Sequence, residues 1–75
     1  MRIGILGSGL MGAKLGTLFA RAGHHVTFSY ARSPRKLARL ARAAGPLARA
    51  GTPREATSAS DVLLLEMPFG LLKLT

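Results

Sequence analysis

The most informative stretch of this 75-residue sequence is residues 3–12, which read IGILGSGLMG. Its first four residues form a short run without polar alternation, which is typical of a parallel strand buried on both faces. A glycine-rich turn follows. The spacing of apolar residues then changes to three and four, which indicates an amphipathic helix. The stretch therefore predicts a strand, a tight turn and a helix.

The helix after the glycine turn is predicted to begin at about Leu10. Its buried face is expected to consist of Leu10, Met11, Leu15, Leu18, Phe19 and Ala22. Gly23 follows where a left-handed C-terminal cap is expected. The next stretch, residues 26–30, is rich in β-branched and aromatic side chains and predicts a second strand.

A second helix is predicted from Ser33-Pro34, with serine as the N-cap and proline as the first helical residue. Its apolar face is expected to consist of Leu37, Leu40, Ala41 and Ala44. Gly45-Pro46 ends this helix, and residues 47–50 predict a short third strand.

The last predicted elements are a helix and a strand. Thr52-Pro53 repeats the combination of cap and proline and begins a third helix through about Ser60. Residues 62–67 predict a fourth strand, which Pro68 stops because proline cannot continue a central ladder. The apolar tail at 69–75 is left without an assignment.

The order of these elements predicts an α/β fold. We expect a Rossmann-type parallel sheet with helices on both faces and strand order 3-2-1-4. All of residues 1–75 are assigned to this domain, which amounts to about half of a full doubly wound domain. The fourth strand is expected to lie exposed at an edge of the sheet.

The charge distribution is unusual. Eleven Lys and Arg residues face three acids, the formal net charge is +8, and no acid precedes Glu55. Such a chain attracts polyanions, and composition alone does not choose among nucleic acid, an anionic membrane surface and a phosphorylated small molecule. With no cysteine and only His24 and His25 as histidines, no metal site is expected.

The N-terminal apolar stretch does not resemble a targeting signal, because glycines interrupt it and Lys14 follows. No uncharged run is long enough to cross a bilayer. The expectation is a soluble cytoplasmic protein without a membrane partner.

The glycines of the turn match G-x-G-x-x-G in the context where that motif binds dinucleotides. Gly7 permits the tight turn, Gly9 leaves room for a pyrophosphate, and Gly12 lets the helix pack against the strand. Backbone N–H groups at the helix N-terminus would hold the phosphates. The alternative is that these glycines only allow a tight turn.

The end of the second strand lacks the acidic residue that binds the ribose hydroxyls of NAD. The sequence there reads SYARS, from Ser29 to Ser33. We therefore predict NADP as the cofactor, with Arg32 as the main 2′-phosphate ligand and with Ser29 and Ser33 donating hydroxyl hydrogen bonds. Arg35 and Lys36 would add charge. The alternative is a set of solvated surface charges and a helix cap.

The sequence resembles the coenzyme F-420-dependent (deazaflavin) NADP reductase family. The residues that carry the resemblance are 1–12, Ala22-Gly23-His24 and 29–33. The pyrroline-5-carboxylate reductase and β-hydroxyacid dehydrogenase families begin similarly, and the features between Gly45 and Pro68 favour the first. The resemblance covers nearly the whole of this chain, which corresponds to about the N-terminal third of such an enzyme.

The resemblance implies an NADP-binding domain in which hydride passes between nicotinamide and a partner held largely by later segments. The residues that match the family's pyrophosphate turn are Gly7, Ser8, Gly9, Leu10 and Met11. Those that match its 2′-phosphate region are Ser29, Arg32, Ser33 and Lys36, and Met67-Pro68 matches its nicotinamide-side loop. Met11 could also simply pack in the core, which we favour.

The expected function is NADP(H) binding within an oxidoreductase. A deazaflavin or another small molecule would be the substrate, and homo-oligomers are possible. Whether these residues catalyse a reaction alone is left open, because nothing in them is expected to close over the nicotinamide. The alternatives are a non-catalytic nucleotide-binding module or fragment and a basic nucleic-acid-binding protein, the latter disfavoured because aromatic residues are few.

Overall fold

A computed structural model describes residues 1–7, 9–29, 34–66 and 72–74 of the chain. Several residues predicted for the site lie outside the described set, namely Ser8, Arg32, Ser33, Met67 and Pro68. The predicted N-cap of the second helix, Ser33, is among them. No helix within the described residues is long and apolar enough to cross a membrane.

The described residues form five strands and three helices; the first seven elements follow the predicted order, and a fifth strand that was not predicted comes last. The strands are β1 (Arg2–Leu6), β2 (His25–Ser29), β3 (Ala48–Ala50), β4 (Val62–Glu66) and β5 (Leu72–Leu74). The helices are α1 (Leu10–Arg21), α2 (Pro34–Ala44) and α3 (Pro53–Ser58). The predicted boundaries differ from these by one or two residues.

The strands form one sheet in the order β3-β2-β1-β4-β5. The first four are parallel, with Ile5 paired with Phe28 on one side and with Leu64 on the other. The predicted α/β class and the parallel order 3-2-1-4 are therefore confirmed.

The expectation that β4 lies at an edge of the sheet is wrong, because β5 covers it. β5 pairs antiparallel with β4, with Leu74 opposite Leu64 and Leu72 opposite Glu66. The apolar tail that received no assignment thus uses backbone groups that an edge strand would leave open. Three residues are too few for a period-2 pattern to predict such a strand.

The main core lies between one face of the sheet and the helices α1 and α2. From the sheet it contains Ile3, Ile5, Val26, Phe28 and Leu64. From the helices it contains Ala20, Leu37, Ala41 and Ala44, with Phe19, Leu40 and Ala48 partly buried against it. The predicted buried face of α2 is confirmed by these contacts.

The helix α3 packs on the opposite face of the sheet. Because successive residues of a strand point to opposite faces, Gly4 faces α3 while its neighbour Ile5 faces α1. A Cβ at Gly4 would collide with the carbonyl oxygen of Ala56 and lie 2.5 Å from Ser60 Oγ. The prediction of helices on both faces is confirmed.

The prediction of the buried face of α1 is wrong in part. Leu18 is 62% exposed and Met11 is 46% exposed, whereas Gly12, Gly16 and Ala20 are buried. A Cβ at Gly16 would collide with the Phe28 ring and lie 2.7 Å from Ile5 Cδ1. Small residues therefore face the sheet, because α1 lies too close to it for larger side chains.

Glycines end α1 and α2, and a capping box begins α3, at the predicted positions. Gly23 and Gly45, which follow α1 and α2, have positive φ angles of 101° and 115°, a region that glycine enters at little cost. At the start of α3, Thr52 Oγ1 accepts the Glu55 N–H at 3.1 Å. Glu55 Oε1 accepts the Thr52 N–H at 2.9 Å, and this backbone hydrogen bond lowers the pKa of Glu55.

An ion pair joins the start of β1 to the start of β4. The Arg2 guanidinium donates to Asp61 Oδ1 at 2.9 Å, and the Arg2 N–H donates to Oδ2 at 3.0 Å. The hydrogen bond with the Arg2 side chain lowers the pKa of Asp61. The Asp61 N–H in turn donates to the Arg2 carbonyl at 2.8 Å.

We expect Gly16→Ala to destabilise the fold although alanine favours helices. Because the added methyl group would collide with the Phe28 ring, the overpacking cost is expected in the upper part of the usual range, about 2–3 kcal/mol. The gain in helix propensity is about 1 kcal/mol, so the net loss is about 1–2 kcal/mol. Urea denaturation measures it. The control is Leu18→Ala on the exposed side of α1, which is expected to change stability by less than about 0.5 kcal/mol. Equal stability of wild type and Gly16→Ala would contradict the close packing.

The stability of the chain is expected to fall in acid through Glu55 and Asp61. Because folding lowers both pKa values from their ordinary 4.5 and 3.8, the stabilisation is complete above those values and is lost as pH falls through the lower, folded-state values. The midpoints of urea denaturation, measured as a function of pH, test this expectation. Glu55→Gln/Asp61→Asn should be less stable at neutral pH and should show a shallower decline. An unchanged decline in the variant would exclude these groups as its cause.

Candidate functional site

The predicted site lies where the order of the strands reverses. The chain leaves the carboxyl end of β1 into α1, on one face of the sheet, whereas β4, the other neighbour of β1, is reached from α3 on the opposite face. In open α/β sheets such a switch point leaves a crevice outside the carboxyl ends of the strands, and ligands bind there. Gly7 and the first turn of α1 are at this crevice.

Gly7 makes the turn out of β1. Its φ angle is 123°, a value that L side chains rarely adopt. Its N–H donates to the Ser29 carbonyl at 3.0 Å, which ties the end of β1 to the end of β2. The backbone itself therefore requires glycine at position 7, as predicted for the tight turn.

Gly9 is different, because its backbone does not require glycine. It is the N-cap of α1, with φ −71° and ψ 179°, an extended conformation open to any residue. N-caps usually carry Ser, Thr, Asp or Asn, whose side chains accept a hydrogen bond from the first turn. Here the N-cap residue has no side chain to accept such a hydrogen bond, and the first turn contains no acidic residue. The positive end of the α1 dipole is thus left without a side-chain acceptor from this position.

The last three residues of the predicted motif, Leu10, Met11 and Gly12, lie in the first turn of α1. Met11 is 46% exposed, so the interpretation that it packs in the core is wrong. Its position leaves it accessible beside the helix N-terminus. Gly12 is buried, as expected of the glycine that brings helix and strand together.

Ser29 lies at the end of β2 but points into the protein. The residue is fully buried, and its hydroxyl donates to the Ile5 carbonyl at 2.9 Å. The predicted donation to a phosphate would require this hydrogen bond to be broken. In the present arrangement the Ser29 hydroxyl holds β2 against β1.

The first turn of α2 brings cations to the same edge of the sheet. α2 begins at Pro34, after the carboxyl end of β2, and Arg35 and Lys36 are exposed in its first turn. No acidic residue lies in that turn. Of the predicted 2′-phosphate ligands, Lys36 is therefore on the crevice side of the sheet, while Arg32 and Ser33 belong to the undescribed connection before it.

The histidines lie at the opposite edge of the sheet, where β2 begins. His24 precedes β2, and its ring packs edge-on against Phe19 with 6.3 Å between ring centroids. Its Nδ1 is buried without a hydrogen-bond partner among the described residues. Within residues 1–7, 9–29, 34–66 and 72–74, no cluster of three or more His, Cys, Asp or Glu side chains could hold a metal ion.

A cleft of about 340 Å³ also lies at that opposite edge, away from the glycine turn. Arg2, His25, Thr27 and Arg49 line it together with apolar residues of β3 and its approach. Its positive charge is partly compensated, because Arg2 is paired with Asp61. This cleft is not the predicted site.

Two glycines that the sequence analysis did not assign help to position the crevice. Gly4 brings α3 against β1, and Gly16 brings α1 against β1 and β2. The signal for Gly16 was its spacing of four residues from Gly12, which places both on one face of a helix.

A family model described as NADP oxidoreductase, coenzyme F420-dependent, matches residues 2–73 of the chain. Comparison with curated proteins and with solved structures found no significant match. The family match spans β1 to β5, including the glycine turn and the approach to α2.

We expect Gly9→Asp to distinguish the two interpretations of the glycine turn, namely a phosphate-binding site and a tight turn that binds no ligand. An aspartate at the N-cap is compatible with the extended backbone of residue 9, and it should cap α1 and leave stability unchanged or raised by a few tenths of a kcal/mol. The same carboxylate would repel an anion at the helix N-terminus. Thermal unfolding measures the first effect, and isothermal titration with inorganic pyrophosphate measures the second. Retained pyrophosphate binding by a stable Gly9→Asp protein would rule out an anion site there.

Proposed function

This chain belongs to the coenzyme F420-dependent NADP oxidoreductase family, and from that premise we propose that it binds NADP(H) through the turn Gly7–Gly12. The pyrophosphate lies at the N-terminus of α1, where backbone N–H groups and the helix dipole attract it. NADP supplies hydride transfer when bound, and the residues of this chain bind and orient it.

The observation that carries the proposal is the backbone conformation of Gly9, the N-cap residue of α1. A glycine needed only for a tight turn would have a left-handed backbone, as Gly7 does. The φ angle of Gly9 is ordinary, so the missing side chain at this position is explained by space for a ligand and not by conformation. The residues at the crevice therefore fit a pyrophosphate.

The 2′-phosphate of NADP is held by cations that follow β2. Arg32 is its main ligand, because a guanidinium binds a phosphate through two parallel hydrogen bonds. Ser33 and Lys36 complete the group, and Lys36 is exposed in the first turn of α2. The segment from β2 to the end of α2 contains no carboxylate, so NADP is not repelled there. Ser29 contributes by holding β2 to β1.

The nicotinamide end of the cofactor lies beside Met67 and Pro68. These residues follow β4, which pairs with β1 through Leu65 and Leu6 at the carboxyl ends of both strands. The loop after β4 is therefore next to the glycine turn in the sheet order. A deazaflavin exchanges hydride with the nicotinamide, as the family description implies, and binding rather than turnover is the role we assign to residues 1–75.

Amide-resolved NMR spectra recorded during titration with NADPH, and separately with NADH, test the proposal. We expect dispersed spectra and NADPH-selective shifts at Gly7, Gly9 and Gly12. Folded, dispersed spectra that neither nucleotide changes would overturn the proposal. Equal shifts with both nucleotides would retain the pyrophosphate site and overturn the assignment of NADP.

Arg32→Ala is expected to weaken NADPH binding about 10- to 100-fold, since a charge-assisted hydrogen bond contributes about 1.5–3 kcal/mol. NADH binding should change little, because NADH lacks the 2′-phosphate. Titration calorimetry measures both. The matched control is Arg21→Ala, which removes an exposed arginine at the far end of α1 and should leave the ratio of the two affinities unchanged. Equal losses for NADPH and NADH in Arg32→Ala would remove Arg32 from the 2′-phosphate site.

A further inference from the structure

Three arginines form a stripe along the outer side of α2. Arg35, Arg39 and Arg42 are exposed, and their spacings of four and three residues place them on one face of the helix. The residues of α2 that enter the core, Leu37, Ala41 and Ala44, lie on the opposite face. At about 1.5 Å per residue the arginine stripe extends along roughly 10 Å of helix.

The acids of the chain do not compensate the arginine stripe. Asp61 is paired with Arg2 at the start of β1, and Glu55 is engaged in the capping box of α3, on the other face of the sheet. Glu66 ends β4, which is separated from β2 and β3, the strands that α2 contacts, by β1. The positive charge of the arginine stripe is therefore available to a partner outside the chain.

The stripe also carries a cost in the free protein. Like charges three and four residues apart on a helix repel each other, as do Arg35 and Arg39, and Arg39 and Arg42. Arg35 lies in the first turn of α2, where the helix dipole is positive and cations are unfavourable. A polyanion that bound this face would relieve both repulsions.

We propose that the arginine stripe of α2 docks on the phosphate backbone of duplex nucleic acid, without selecting a base sequence. Duplex DNA presents one negative charge per about 1.7 Å of its axis, so three arginines along one helix can each meet a phosphate. Guanidinium groups match phosphate oxygens in bidentate geometry. This interaction goes beyond the binding of NADP(H).

The composition of α2 favours a duplex over a bilayer. Helices that bind membrane surfaces insert an apolar face below the headgroups, but the apolar face of α2 is buried in the protein core. Single strands are bound largely by aromatic stacking. Among the described aromatic side chains, Phe28 is fully buried and Phe19 is partly buried against the core, so neither offers a stacking surface on α2.

Arg35 lies on the crevice side of α2, but the part of the stripe toward the C-terminus of α2 is separate from the crevice. The glycine turn and the first turn of α2 lie at the carboxyl edge of the sheet, whereas Arg42 lies in the last turn of α2. Arg39 and Arg42 are therefore the residues of the stripe that report on a duplex and not on a nucleotide.

The test measures binding of the full chain to a mixed-sequence duplex of about 20 base pairs by fluorescence anisotropy at several salt concentrations. Arg39→Gln/Arg42→Gln should weaken binding at least about tenfold and reduce the slope of log K against log salt by about 1.8, because each phosphate contact contributes about 0.9. The matched control is Arg21→Gln/Arg54→Gln, which removes two exposed arginines from α1 and α3. It should cause less than half of either effect.

Several results would overturn the proposal. Equal losses of duplex affinity in the two double variants would mean that binding depends on the net charge of the protein and not on the stripe. Vesicles of anionic lipid that bind through Arg39 and Arg42, with no duplex binding, would assign the stripe to a membrane. Displacement of the duplex by NADPH would place it in the crevice.

A conservative variant guards against misfolding. Arg39→Lys/Arg42→Lys keeps both charges, so the salt slope should stay near that of the wild type while affinity falls through loss of bidentate contacts. Circular dichroism confirms folding of each variant. A lysine variant that is folded but has the reduced slope of the glutamine variant would overturn the phosphate contacts.

Discussion

The structure depends on the close approach of α1 to the sheet. Gly16 faces Phe28 and Ile5 at a distance that no side chain would permit, and Gly12 and Ala20 continue the same narrow face. Because α1 lies so close, its first turn begins within a few residues of the end of β1. The turn from β1 to α1 can therefore be short. The N-terminus of α1 faces the crevice that lies where the strand order reverses.

Most of the fold is predictable from the sequence because its signals are local. Apolar runs mark β1 and β4, proline and threonine mark the start of α3, and glycine ends α1 and α2. The parts that were not predicted depend on contacts between elements. The tail from Leu72 to Leu74 becomes a strand because β4 offers it an edge. The periodicity of α1 misleads because apolar spacing assumes that large residues face the core, whereas here the space beside the sheet admits only small ones.

The candidate site, like the fold, combines features that local sequence signals predict with features that depend on contacts between elements. The roles of Gly7 and Gly12 follow from their spacing, and the backbone angles separate Gly7, which needs glycine, from Gly9, which does not. The role of Ser29 could not be predicted, because its hydrogen bond goes to Ile5, 24 residues earlier in the chain. The exposure of Met11 was missed because it depends on how α1 is rotated against the sheet. The residues after β2 and β4 remain predictions from the family resemblance.

The pairing of β1 with β4 has a consequence for the order in which the protein can fold. β1 is synthesised before its two neighbours in the sheet, β2 and β4, and β4 follows it only after α1, β2, α2, β3 and α3. The ion pair of Arg2 with Asp61 joins residues 59 positions apart in the sequence. Contacts of such high sequence separation slow folding, because chain entropy is lost before they form. On the ribosome β1 and β2 can pair early, but β1 keeps one open side until β4 has emerged.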